Sequence, residues 1–173
     1  MINYRRANIS DIEALVDIRL QFLRYDKPDW AAETDPEIAT GIRQYYTEAI
    51  PTGECIHWLA ESDNRIIGSG ALSIRRFAPG LLLRNGKSAY IFNIYIVPDF
   101  RKQGIATEII RRLIADAKQH GVTRLELHAT EMGYPVYTKL GFRQPNQKYL
   151  EFFVSPDNTN SLNEAKITNS YEI

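Results

Sequence analysis

The chain has 173 residues with 21 basic and 21 acidic side chains, so its formal net charge is zero. That length suits one domain able to bury about 70% of its unfolded surface, and a neutral chain carries no broad electrostatic footprint for nucleic acid. The single Cys55 excludes an intrachain disulfide, and His57, His120 and His128 are too far apart to offer a zinc spacing, so no metal is expected.

The first residues, MINYRRANISDIEALVDI, hold no apolar stretch of the signal-peptide kind, and no run of about 20 apolar residues occurs anywhere. A soluble, cytoplasmic protein without a membrane partner is expected. Ser10 and Glu13 form a capping-box pattern; Leu15, Ile18 and Phe22 then recur at helical spacing, which predicts a helix over residues 11–24. DKPDW breaks it. Asp35-Pro36 suits a helix start, and Ile38, Ile42, Tyr45 and Ala49 supply the apolar face of a second helix that ends before PTG.

HWLAES (57–62) and IIGSGALSI (66–74) are strand-like runs around the turn-prone Asp63-Asn64, which predicts an antiparallel hairpin. RRFAPGLLLRNGKS follows as a long connection whose three leucines at 81–83 could cover a pocket or continue a strand. Residues 89–97, rich in Tyr, Phe, Ile and Val, form the strongest strand pattern. From Gly104 to His120 the stripe Ile105, Ile109, Leu113 and Ala117, widened by Ile110 and Ile114, is helical, and Gly121 fits the position that ends it. RLELHA alternates as a strand, YPVYTKLG makes a short helix and YLEFFV a last strand. The order, two helices, three strands, then helix, strand, helix and strand, indicates a mixed α/β sheet in one domain over 1–154, with a polar tail over 155–173.

VPDFRKQGIA (97–106) lies between the best strand and the best helix, where unpaired N–H groups and the positive helix end together favour an anion. Gly104 and Ala106 leave room for an oxygen to approach, and Arg101 and Lys102 add charge. The spacing fits neither the phosphate loop G-x-x-x-x-G-K-[ST] nor the dinucleotide pattern G-x-G-x-x-G, since GSGALS ends in serine inside a strand. What remains, Arg101-x-x-Gly104-x-Ala106, resembles the acyl-CoA pyrophosphate loop of the GNAT superfamily of N-acetyltransferases. Tyr137-Thr-Lys-Leu-Gly141-Phe142 resembles that family's second motif in its expected place, and the resemblance extends over residues 2–154.

The resemblance implies a mixed, mostly antiparallel sheet flanked by helices, acetyl-CoA as co-substrate, and direct attack of an amine on the thioester. Pantetheine would pair with backbone near Ile94, Ile96 and Val97. The pyrophosphate would rest on the N–H groups of Lys102, Gln103, Gly104, Ile105, Ala106 and Thr107, with Arg101 nearby. Tyr137 would protonate the departing sulfur, a phenol of pKa ~10 facing a thiol of ~8.5. Thr130 stands where relatives often carry a CoA-contacting Asn. Many relatives keep a Glu on the first motif strand; residues 89–97 here contain no acid, so Glu61, Glu126, His128 and Glu131 are the candidates for a base. The expected acceptor is a small-molecule primary amine, with a protein amine or a non-catalytic acyl-CoA-binding module as alternatives and a homodimer as an open assembly. DKPDWAAETDPE, with five acids against one lysine, favours a cationic acceptor, for which Trp30, Tyr45, Tyr46 and Trp58 could form walls.

Overall fold

The structure is a computed structural model, described over residues 1–26, 36–146, 148–150 and 152. Its contacts gather residues 1–142 into one unit, and the described residues after Phe142 form neither helix nor strand. The elements are β1 (Asn3–Arg6), α1 (Ile12–Asp26), α2 (Pro36–Thr52), β2 (Cys55–Ser62), β3 (Arg65–Arg76), β4 (Lys87–Ile96), α3 (Ile105–Gln119), β5 (Arg124–Glu126) and α4 (Tyr134–Lys139). The five strands form one sheet in chain order, antiparallel throughout except for the parallel β4–β5 pair. This is the mixed, mostly antiparallel sheet flanked by helices that the sequence suggests.

The two faces of the sheet carry separate cores. Cys55 and Leu59 on β2 and Ala71 on β3 meet Ile12, Leu15 and Val16 of α1 and Tyr46 and Ala49 of α2. On the other face, Ile105, Ile109, Ile110, Leu113 and Ala117 of α3 pack on Ile67, Leu72, Ala89, Ile91 and Ile96, and Tyr137 of α4 belongs to the same cluster. The apolar stripe of α3 is thus wholly used, and burying side chains of this size contributes roughly 1.5–3 kcal/mol each. Asp63 and Asn64 both adopt left-handed backbone (φ 50° and 58°), the geometry that closes a two-residue hairpin with the right twist.

Several expectations change. β1 is absent from the sequence reading because four residues, NYRR, give too short an alternation; it is held by pairing with β2 and by side chains beyond itself. Arg5 binds Asp11 (2.8 Å) and Glu61 (2.7 Å), while Arg6 pairs with the buried Asp116, which also accepts a hydrogen bond from Trp58 Nε1 at 2.7 Å. The cap before α1 is not Ser10 with Glu13. Asn8 Oδ1 accepts from the Ser10 N–H and Asp11 Oδ2 from the Asn8 N–H, both at 2.8 Å, and Glu13 instead pairs with Arg43 of α2. α2 runs past Pro51 to Thr52. Leu81 and Leu82 are exposed in a turn and belong to no strand. β5 pairs over three residues only, so the alternation continues through Leu127 without a partner strand. Of the last expected strand, Tyr149, Leu150 and Phe152 are not in a strand; its other residues, like Asp35, Trp30 and the tail, lie outside the described residues.

His57, on β2, is 1% exposed, and among the described residues neither ring nitrogen has a hydrogen-bond partner. Burial, reinforced by the charge of Arg19, pushes its pKa down to about 3. The unfolded chain, whose histidine titrates near ~6.5, therefore takes up this proton first. Stability should be fully present above about pH 6.5 and fall, through this group, by up to about 1.4 kcal/mol per pH unit as the pH drops toward 3. Urea midpoints between pH 4 and 7 should show a shallower acid dependence in His57→Phe than in the parent chain; identical slopes would mean that His57 is not held neutral.

Candidate active site

β4 is paired on one side with β3 along nearly its whole length, but with β5 only at Ser88, Ala89 and Tyr90. Beyond the Tyr90–Glu126 pair the two strands part, leaving residues 91–96 with an open edge. The β3 register slips between Ser69 and Ala71, and opposite the slip Asn93 has φ 54°. This is a bulge inside a strand, which bends β4 and re-aims its backbone. Gly70 makes room for it, since a Cβ there would lie 2.5 Å from Ile94 Cδ1 and 2.6 Å from Ile109 Cγ2. Ser69 Oγ donates to the Asn93 carbonyl and accepts from Asn93 Nδ2, each at 3.3 Å.

The backbone directions sort the expected contacts on β4. The Val97 N–H donates to the Ile67 carbonyl at 3.0 Å, so it faces β3 and is already used. By alternation, Ile96 and Ile94 turn their backbone groups to the open edge. The Ile96 carbonyl there accepts from Arg101 Nε at 3.0 Å. Ile94 thus offers an open backbone, Ile96 an N–H alone, and Val97 no donor.

After β4, Pro98–Phe100 forms a single 3-10 turn closed by the Phe100 N–H on the Val97 carbonyl (2.9 Å). Lys102 (φ 61°) and Gly104 (φ 81°) then take left-handed conformations. Among the described residues, none of the backbone N–H groups from Lys102 to Thr107 makes a hydrogen bond within the protein; the first to do so is Glu108, on the Gly104 carbonyl at 3.0 Å. Six consecutive donors at the positive end of a fifteen-residue helix make an anion cradle. Lys102, Gln103 and Gly104 are exposed, Ala106 and Thr107 half-buried, while Ile105 is anchored in the core.

Arg101 points elsewhere than expected. Its Nη1 donates to Tyr25 Oη at 2.8 Å, and the guanidinium lies 4.1 Å from the Tyr25 ring centre, so it ties the loop to α1. Lys102 stays on the cradle itself, and two further cations beside it come from residues the sequence reading missed. A cleft of about 260 Å³ between α3 and α4 is lined by Thr107, Arg111, Pro135, Val136, Lys139 and Leu140. Arg111 could have been found as the residue one helical turn after Thr107; Lys139 depends on tertiary packing of α4 against α3.

Tyr137 is buried against Phe142, its ring edge-on at 5.8 Å, and burial together with the field of Tyr90 pushes its phenol up to about 12. It therefore holds its proton throughout the neutral range. Thr130 caps α4: its carbonyl accepts from the Gly133 and Tyr134 N–H groups at 3.0 and 2.9 Å, and its hydroxyl accepts from Gly133 at 3.2 Å. The hydroxyl proton remains able to donate outward.

The four candidate bases separate clearly. Glu61 is held by Arg5 and Glu126 by Arg124 (3.1 Å), while Glu131 is exposed. His128 lies just past β5, and its Nδ1 is 2.6 Å from Tyr90 Oη, at the point where β4 and β5 part. Trp58 is excluded as an acceptor wall, because it packs toward α3 with Arg112 and Asp116. Tyr45 and Tyr46 lie on the opposite face beside Phe92 and His57. Among the described residues no cluster of His, Cys, Asp or Glu could hold a metal, and no helix is long and apolar enough to cross a membrane.

A family model described as "Acetyltransferase (GNAT) family" matches residues 14–142. A crystal structure of a predicted acetyltransferase from Clostridium acetobutylicum with acetyl-CoA superposes with a TM-score of 0.79 at 32% identity, covering 88% of this chain and 96% of that one. A GCN5-related N-acetyltransferase from Ralstonia eutropha has the same fold, with a TM-score of 0.74, 24% identity, and coverage of 88% and 99%. Human N-acetyltransferase 8 is 25% identical over 131 residues, which is 71% of this chain and 54% of that protein. The chain thus spans a little over half the length of that curated relative.

The left-handed turn at Gly104 is the local requirement of the cradle. A β-branched side chain in that conformation costs about 1–2 kcal/mol. Gly104→Val should lower the free energy of unfolding, measured by urea denaturation, by about 1–2 kcal/mol; an unchanged stability would mean the turn is not held in solution.

Proposed function

Because the chain belongs to the acetyltransferase (GNAT) family, we propose that it transfers an acetyl group from acetyl-CoA to the primary amine of a small molecule. The observation that carries this reading is the coincidence, within one unit, of an open strand edge, six unused N–H donors and a buried protonated tyrosine. The acyl-CoA that fits would lay its pantetheine along the open edge at Ile94 and Ile96, rest its pyrophosphate on Lys102 to Thr107, and meet Arg111 and Lys139 in the adjoining cleft. Acetyl-CoA supplies an activated acyl carbon and a thiolate leaving group.

The protein's own groups then have distinct tasks. An N–H on the open edge, at Ile94, stabilises the negative charge that develops on the thioester oxygen when the amine attacks. Tyr137 Oη gives its proton to the departing sulfur. A phenol held near 12 is a weak acid, and it gives up its proton as negative charge builds on the departing sulfur in the transition state.

His128 takes the amine proton. In the tautomer whose Nδ1–H donates to Tyr90 Oη, the other ring nitrogen carries the lone pair that would accept the proton. Thr130 positions α4, and thereby Tyr137, through its cap, with a contact to CoA as a second task for its hydroxyl.

A screen of amines following CoA release tests the reading, with small amines and peptide amines as separate arms. Turnover confined to peptides would replace the small-molecule acceptor by a protein one, and binding of acetyl-CoA with no turnover would leave a non-catalytic module. Tyr137→Phe should lower kcat by about 100-fold while the KM for acetyl-CoA stays within about twofold. His128→Gln should lower kcat most near neutral pH and recover as rising pH deprotonates the amine in solution. Equal losses at every pH would remove His128 from that role.

A further inference from the structure

Arg101 stands in the anion loop yet takes no part in the transfer chemistry. Its backbone N–H donates to the Pro98 carbonyl at 3.2 Å, so the residue is fixed before its side chain is considered. The side chain is then used within the protein. Nε donates to the Ile96 carbonyl at 3.0 Å and Nη1 to Tyr25 Oη at 2.8 Å, while the guanidinium lies 4.1 Å from the centre of the Tyr25 ring and 6.0 Å from that of Tyr95. Among the described residues no carboxylate pairs with it.

These contacts hold the end of α1. Phe22 and Tyr25, three residues apart and so on one side of the helix, meet the buried Tyr95 ring with centres 6.3 and 6.2 Å away. Tyr95 lies on β4 between Ile94 and Ile96, the two residues whose backbone faces the open edge. One guanidinium therefore ties together the end of that edge, the loop that begins the cradle, and the last turn of α1. A planar group with diverging N–H donors can bind a carbonyl and a hydroxyl at once while stacking on a ring; an ammonium has the charge without that geometry.

The side of β4 served by this link is the side on which the amine arrives. Phe92 and Tyr95 pack toward α1 and α2, whereas Ile91, Ile94 and Ile96 pack toward α3. By alternation Tyr90 shares the side of Phe92, and its hydroxyl meets His128 there at 2.6 Å. Tyr137 belongs to the cluster on the other side. With the base on one side of the strand and the proton donor to sulfur on the other, the amine comes from the α1–α2 side and the thiolate departs toward α4.

We propose that Arg101 is a positioning residue for the amine: through Ile96 and Tyr25 it holds the last turn of α1 as the wall past which the amine reaches the thioester, and it makes no contact with the pyrophosphate. This rests on the acetyltransferase reading and departs from the expectation that Arg101 lends its charge to the anion. Loss of the link frees the Ile96 carbonyl and leaves every N–H donor of the edge and cradle in place, so acyl-CoA binding persists without it.

The test uses Arg101→Met, which removes the donors but keeps a long side chain beside Tyr25, and Tyr25→Phe, which removes the hydroxyl but keeps the ring. In Arg101→Met, amide exchange of residues 23–26 should speed up by about fivefold or more, while the Kd of acetyl-CoA, read by thermal-shift titration, stays within about twofold of the parent chain. The amine is whichever of spermidine, kanamycin, glucosamine and glycine the parent chain turns over fastest. Its KM should rise about tenfold in Arg101→Met and about threefold in Tyr25→Phe, with the KM for acetyl-CoA within about twofold. The double variant should match Arg101→Met alone, because both changes cut one link, and Arg101→Lys should stay close to Arg101→Met. Stabilisation by acetyl-CoA reports that each variant folds. A weakened acetyl-CoA Kd with an unchanged amine KM would return Arg101 to the pyrophosphate and overturn the proposal; so would unchanged exchange at the end of α1, or additive effects of the two substitutions. Each of these leaves acetyl transfer by the parent chain intact. No turnover of any of the four amines by the parent chain would overturn the role toward the amine, and absence of stabilisation by acetyl-CoA as well would overturn the acetyltransferase reading with it.

Discussion

Everything proposed for this protein depends on β4 leaving β5 after Tyr90. A strand paired on both edges has no backbone to offer, whereas a strand released on one side presents N–H and C=O groups in a fixed row. The bulge at Asn93 is what makes the release local: the strand stays paired with β3 before and after it, so the edge is open yet rigid. Gly70 across the sheet and Ile109 beneath it show that this distortion is packed for, because any side chain at 70 would occupy the space Ile94 uses. The fork, the anion cradle at the start of α3 and the tyrosine of α4 are thereby held by one core on one face of the sheet.

Charge is distributed in keeping with that arrangement. The neutral total conceals a division of labour, in which most carboxylates near arginines are used for structure. Asp11, Glu61 and Asp116 fasten β1, Glu13 and Arg43 fasten α1 to α2, and Glu108 pairs with Arg112 within α3. Among the cations outside these pairs, Lys102 stands on the loop before α3, and Arg111 and Lys139 line the cleft beside Thr107. A protein with no net charge thus has a local positive region where an anionic cofactor would approach.

Much of this was legible in the sequence where periodicity is long or a turn is chemically specific. The four-residue repeat of α3, the Asp63-Asn64 turn and the glycines at 104 and 121 each leave a local signature. Arg101-x-x-Gly104-x-Ala106 and Tyr137 with Gly141-Phe142 identified the family. What was missed is tertiary. β1 is too short to alternate visibly, and the cap at Asn8 competes with an equally good pattern at Ser10. Trp58 faces α3 because a strand residue's side is set by register, which single-sequence reading cannot fix over a hairpin. Arg101 carries the right charge in the right loop, yet its guanidinium is drawn to Tyr25 on a helix some seventy-six residues earlier.

The central claim is that exposed backbone, rather than a set of side chains, holds the acyl-CoA. Amide hydrogen exchange with and without acetyl-CoA measures that backbone directly. The account predicts new protection at Ile94 and Ile96 and from Lys102 to Thr107, with Val97, already bonded to Ile67, unchanged. Protection absent from both stretches at saturating acetyl-CoA, or confined to other parts of the sheet, would contradict it.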